Sequence, residues 1–177
     1  AKLIVHTPQQ VAEFMAKGYF DDFTLGEAWN QNAKKFPDQE GLVDPFQERR
    51  FTWRQLKEMT DRLALNLVEL GMARDEVLAS QLPNWVEHVI GHFACDKAGI
   101  IFLGLRTAFR ETEMEHNLKL SQASAIVIPW KFRDFDHYDM MCKLQPKLPK
   151  LRHIIVVGQQ IPPGAISFEE LMTKPPK

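Results

Sequence analysis

Residues 81–105 run QLPNWVEHVIGHFACDKAGIIFLGL, and the reading of this stretch decides the fold. It divides into a turn, a helix, a stop and a strand. Asn84 and Glu87 have the spacing of a helix-opening cap, which predicts a helix from there onward. Gly99 is the matching stop, because glycine takes the left-handed backbone of a helix C-terminus without steric cost. "IIFLGL" (Ile100 to Leu105) then stays apolar without alternating, as a strand covered on both faces does.

The same helix carries His88, His92, Cys95 and Asp96. His88, His92 and Asp96 form an i, i+4 row on one face. A metal reading needs a further ligand and an open coordination position. A packed helix with one or two polar rings on its flank needs neither. Trp85, Val89, Phe93 and Ala94 take a different face and leave the histidines at its edge. No partner stands ready to orient a Cys95–His92 nucleophile pair. The expectation is that no metal binds here and that both histidines are flank or surface residues.

Outward from this stretch the helix signals repeat. Thr7 precedes Pro8, a favoured first helical residue, and Gly18 closes that segment. Thr24 with Glu27 and Thr52 with Gln55 have capping-box spacing, and Phe51 and Leu56 sit where a hydrophobic staple places them. Leu56, Met59, Leu63, Leu67 and Leu70 then follow at helical spacing, and Gly71 ends the run. Further helices are predicted over "ETEMEHNLKLSQ" and "FDHYDMMCKL". Strand-length apolar runs lie between them at "EVLAS" (76–80), "AIVIP" (125–129) and "HIIVVG" (153–158). Strand then helix, repeated, predicts an α/β fold, a largely parallel sheet with helices on both faces. "EGLVD" and "ERRFT" flank "PFQ" as an antiparallel hairpin. The end, "PPGAISFEELMTKPPK", is proline-rich and carries one short helical pattern.

At 177 residues and 45% apolar composition, the chain suits one domain with a real core. A formal charge of -1 gives no electrostatic case for nucleic acid or an anionic membrane. Its longest apolar runs are too short to span a bilayer, and "AKLIVHTPQQ" lacks the layout of a signal peptide. Cys95 and Cys142 are therefore expected as reduced thiols in a cytoplasmic protein.

There is no Walker glycine loop, no Gly-x-Gly-x-x-Gly, no Gly-x-Ser-x-Gly and no Cys-x-x-Cys. Arg106 and Arg110 follow the Ile100–Leu105 strand directly, at its carboxyl end. Ligands of open parallel sheets gather at that edge, and two guanidiniums there can hold a phosphate or a carboxylate. The bland alternative is an arginine that ties its own loop to a neighbour.

The ordered set of blocks resembles one family. "RRFTWRQLKEMTDRLALNLVELGM" is similar to the first amphipathic-helix block of the adenylate-forming acyl- and aryl-acid ligases. "QLPNWVEHVIGHFACDKAGIIFLGL" resembles their next block, strand, "L-P-N", helix, "K-A-G" and strand. "RETEMEHNLKLSQASAIVI" resembles the third, with Glu113 at the usual glutamate. The resemblance covers about residues 20 to 160. Two positions depart from it: Asp75 and Glu76 stand where the family usually has Gly-Asp, and Gly104 replaces a common proline.

The resemblance implies a parent enzyme of two steps, an AMP-forming acid ligase of fatty-acid or aryl-acid metabolism using ATP, Mg²⁺ and CoA. Its arginine-bearing loop is similar to the aryl-acid and alicyclic-acid branch. In the family the phosphate loop, adenine site and catalytic lysine lie beyond these blocks. Residues 1–177 are thus expected to be a single N-terminal subdomain of the acyl-CoA synthetase-like fold, inactive alone, with no catalytic residue of its own and no ATP, Mg²⁺ or CoA bound by it alone. The resemblance also makes the "L-P-N" helix a packing element, with Asn84 as its cap. Arg106 and Arg110 remain the candidate ligand-binding residues. Self-association through an exposed apolar face is expected. Two other readings stand beside this one, an adenylation domain that loads a carrier protein and a non-catalytic α/β binding module.

Overall fold

Three threonines open the first three helices by the same chemistry. Thr7, Thr24 and Thr52 accept from the backbone N–H three residues on, and Gln10, Glu27 and Gln55 reach back to the threonine N–H. They start α1 (Pro8–Ala16), α2 (Leu25–Lys35) and α3 (Trp53–Glu69) in the computed structural model, which describes residues 6–21, 23–45 and 47–176. Between α2 and α3, β1 (Glu40–Asp44) and β2 (Arg49–Thr52) pair antiparallel, as expected from the sequence. Phe46, part of the expected "PFQ" connection, lies outside the described residues.

The main sheet contains all four expected strands, β3 (Val77–Ser80), β4 (Ile101–Gly104), β5 (Ala125–Pro129) and β8 (His153–Val157). They pair in parallel in the order β4-β3-β5-β8, and β9 (Ile166–Ser167) extends the far edge. The helices α4 (Val86–Ala98), α5 (Glu111–Ser121), α6 (His137–Leu144) and α7 (Phe168–Thr173) connect or follow them. Two elements have no signal in the sequence, β9 and the hairpin of β6 (Lys131–Phe132) and β7 (Phe135–Asp136). Each of these strands is two residues long, too short to show a period.

Strand side chains alternate between two cores. Leu78, Ala125, Val127 and Ile155 join Leu56, Leu63, Leu67, Ile90 and Phe168 on one face. Ala79, Ile126, Ile128 and Val156 join Met114, Leu118, Met140 and Leu144 on the other. Strands β3 and β5 are buried throughout, whereas β4 is only half-buried because it is an edge strand. Leu63 is 1% exposed in the first core. Leu63→Ala should therefore cost about 2–5 kcal/mol of stability. An unchanged urea midpoint would show that α3 does not bury this stripe.

One capping expectation is overturned. The N-cap of α4 is Trp85, with φ −89° and ψ 162°, and it makes no side-chain cap bond. Asn84 is exposed outside the helix. Glu87 cannot complete a box there, because its buried carboxylate accepts from Arg49 Nη1 and Nη2 at 2.7 and 3.1 Å. The stop at Gly99 is as expected, with φ 70°. Asp75, where the resemblance noted above usually places glycine, also has a positive φ of 64°. Aspartate is one of the few other residues that visit this region, through local hydrogen bonding.

Candidate functional site

The strand order defines where a ligand can sit. After β3 the chain turns onto one face as α4, packing Ile90 and Ala94 there. After β5 it turns onto the other face as α6, packing Met140 and Met141. Adjacent strands whose connections part in this way open a crevice at their carboxyl ends. A cavity of about 770 Å³ lies at this edge, walled by Pro83, Trp85 and His88 after β3, Gly104 and Arg106 from β4, and Arg133 from the β6–β7 turn.

Gln81 fixes the shape of this edge. It is fully buried, and its backbone N–H donates to Val127 O at 2.9 Å, extending the sheet one residue past β3. Its Nε2 donates to the carbonyls of Arg106 and Phe109 at 3.1 and 2.9 Å, which holds the loop after β4. Its Oε1 lies 3.1 Å from His137 Nδ1. An amide oxygen only accepts, so His137 carries its proton on Nδ1. Burial, with Arg110 nearby, lowers the His137 pKa to about 4, and the imidazole is neutral at pH 7. Nothing in the sequence marks Gln81 or His137, because the bond joins residues 56 positions apart.

Both sequence-predicted arginines lie in the loop that Gln81 holds, but they open onto adjoining cavities. Arg106 is exposed and lines the large crevice. Arg110 donates from Nη1 to the carbonyls of Thr107 and Phe109, both at 2.9 Å, and stacks 3.9 Å over the Phe135 ring. It faces a smaller cavity of about 320 Å³. Thr107, Ala108, Phe132 and Arg133 border both cavities. Arg133 is a third guanidinium that sequence reasoning missed. The tight β6–β7 turn, with φ 54° at Arg133, returns it to the crevice.

The histidine row does not act as a unit. His88 is half-buried rather than a plain flank residue, and its Nδ1 lies 3.1 Å from Ser80 Oγ. His92 is exposed and stacks on Phe102, with centroids 5.0 Å apart. Asp96 accepts from Gly26 N at 2.6 Å and so caps the start of α2. Among the described residues, no group of three His, Cys, Asp or Glu side chains is placed to hold a metal ion. Burial, with Asp96 beside it, pushes the Cys95 thiol up, which disfavours a thiolate nucleophile. No helix among the described residues is long and apolar enough to cross a membrane.

A parallel sheet wound outward in both directions from one strand pair, with a crevice at its carboxyl edge, defines a doubly wound α/β domain. More particularly, the chain belongs to the AMP-binding enzyme family, which matches it over residues 29–175. It is 31% identical over 148 residues to the medium-chain acyl-CoA ligase ACSF2, mitochondrial, of Mus musculus, covering 84% of this chain and 22% of that one. It is 28% identical over 160 residues to the 2-hydroxy-7-methoxy-5-methyl-1-naphthoate–CoA ligase of Streptomyces carzinostaticus, covering 90% and 28%. The chain thus spans about a quarter of the length of these relatives. Among solved structures, apo MbtA of Mycobacterium smegmatis aligns with a TM-score of 0.83 at 25% identity, over 96% of this chain and 30% of that one. The anthranilate CoA ligase AuaEII aligns at 0.78 and 23%, over 87% and 28%, and shows the fold alone.

Proposed function

We propose that residues 1–177 are the N-terminal subdomain of an ATP-dependent carboxylic acid–CoA ligase acting on an aryl, alicyclic or medium-chain acid. The family match over residues 29–175 carries this reading. Relatives named for medium-chain acids and for a naphthoate support the substrate class. In the first step a carboxylate oxygen attacks the α-phosphorus of ATP. The acyl–phosphate bond forms, the bridging bond to the β-phosphate breaks, and pyrophosphate leaves. In the second step the CoA sulfur attacks the acyl carbon, and AMP leaves with the electrons of the broken C–O bond. Mg²⁺ offsets phosphate charge in such a reaction. The unpaired Cys95 and Cys142 support placement in a reducing compartment such as the cytoplasm. Exposed Leu65 and Val68, three residues apart on α3, support self-association.

Within this chain, Arg106 holds an anionic group of one substrate in the crevice, with Arg133 beside it and Arg110 bracing the loop. A guanidinium suits this because its planar fork matches the oxygens of phosphate and carboxylate. In the full-length ligase, Arg106→Ala should raise the KM for that substrate about tenfold, for loss of one charge-assisted bond of about 1.5 kcal/mol. Separate titration of ATP, CoA and the acid identifies which substrate it is. Unchanged KM values for all three would remove Arg106 from the site.

A further inference from the structure

Ser80, at the end of β3, and His88, on α4, meet at the carboxyl edge of the sheet beside the crevice. We propose that the Nε2–H of His88 is a hydrogen-bond donor to the anionic group bound in the crevice beside Arg106. This rests on the reading of the crevice just given.

The tautomer follows from Ser80. Its side chain is on the first-core face of β3 and the residue is 1% exposed. A hydroxyl so buried must place its proton on an acceptor. The acceptor within reach is His88 Nδ1, at 3.1 Å. A nitrogen that accepts carries no proton, so the proton of the neutral ring is on Nε2. The ring is held in this direction from a second side. It packs edge-on against Phe102, with centroids 5.1 Å apart and planes at 78°.

The open edge of the imidazole points to the crevice. A Cβ built on Gly104 would stand 3.7 Å from His88 Cε1 and 4.0 Å from Nε2. Gly104 itself is exposed and lines the crevice with His88 and Arg106. The Cε1–Nε2 edge therefore meets a residue with no side chain, at the lip of the cavity. Burial, with His92 adding to it, lowers the His88 pKa and favours the neutral ring. The crevice so offers two guanidiniums, Arg106 and Arg133, and one neutral directional donor. That is the chemistry of a phosphate or carboxylate oxygen. The donor adds geometry without the desolvation of a further charge.

The test uses the full-length ligase, with ATP, CoA and the carboxylic acid as separate probes. Nitrogen NMR of the unaltered chain at pH 7 should show His88 neutral and protonated on Nε2. The probe that the crevice binds should shift the Nε2 resonance. His88→Phe keeps the ring against Phe102 and should weaken that probe about fivefold, the order expected for one neutral hydrogen bond. Arg106→Ala should weaken it more. Two results overturn the inference: a proton found on Nδ1, or unchanged binding in His88→Phe while Arg106→Ala still weakens the probe. If neither variant changes binding and His88 does not shift, the crevice reading fails and this inference fails with it.

Discussion

Mixed with ATP, Mg²⁺ and a panel of aryl, alicyclic and medium-chain acids, the 177-residue chain should release no pyrophosphate above the uncatalysed background. The full-length ligase should turn over with at least one of them. The expected gap is large because enzymes of ordinary efficiency accelerate their reactions by 10⁶-fold or more, about 8 kcal/mol of barrier. Most of that comes from preorganised charge and from holding reactants in attack geometry. These 177 residues include no glycine loop of the Walker type to wrap a triphosphate with successive backbone N–H groups. Arg106 and Arg110 are exposed and open to different cavities, which gives neither recognition of a base nor α-phosphate geometry. Turnover by this chain at a rate comparable with the full-length protein would sink the subdomain reading. Turnover by neither would favour a binding module without chemistry.

Arg49→Met should destabilise the fold by about 3–5 kcal/mol at neutral pH, the cost of leaving a buried charge without its partner. Arg49 spans the hairpin and α4, donating to both oxygens of Glu87 and to Asp44 Oδ2 at 3.1 Å. The Glu87 and Asp44 side chains are each 1% exposed. Without the guanidinium, two carboxylates shielded from water lose their cationic partner, and an uncompensated buried charge costs more than the ion pair itself contributes. Denaturation midpoints of wild type and variant at neutral pH should differ by that amount. Equal midpoints would mean that Arg49 makes no net contribution to stability.

The elements of this fold were legible because their signals are local. Thr7, Thr24 and Thr52 each find their capping partner three residues away, and the three boxes form as spaced. The fully buried strands show as unbroken apolar runs for the same reason, since every residue between Ala125 and Pro129 is covered. Asn84 failed as a cap for a reason that no local pattern holds. Its intended partner Glu87 is drawn away by Arg49, 38 residues earlier in the chain. The arginine loop was legible as a position at a strand end, but not as a shape. Gln81 and His137 hold that shape from two other elements.

By itself the sequence determined where the helices and the longer strands lie, that the sheet is parallel with helices on both faces, and which family the ordered blocks resemble. Those properties depend on neighbours within one or two turns and on the period of apolar residues, both written along the chain. Only the tertiary structure decided that Arg106 and Arg110 open to separate cavities, that Arg133 returns to the crevice, and that His88 meets Ser80 rather than acting with His92 and Asp96. Each of these turns on strand order and on the direction of a single side chain. Pairing β3 with both β4 and β5 brings together residues dozens of positions apart, and no local preference encodes the angle at which they meet.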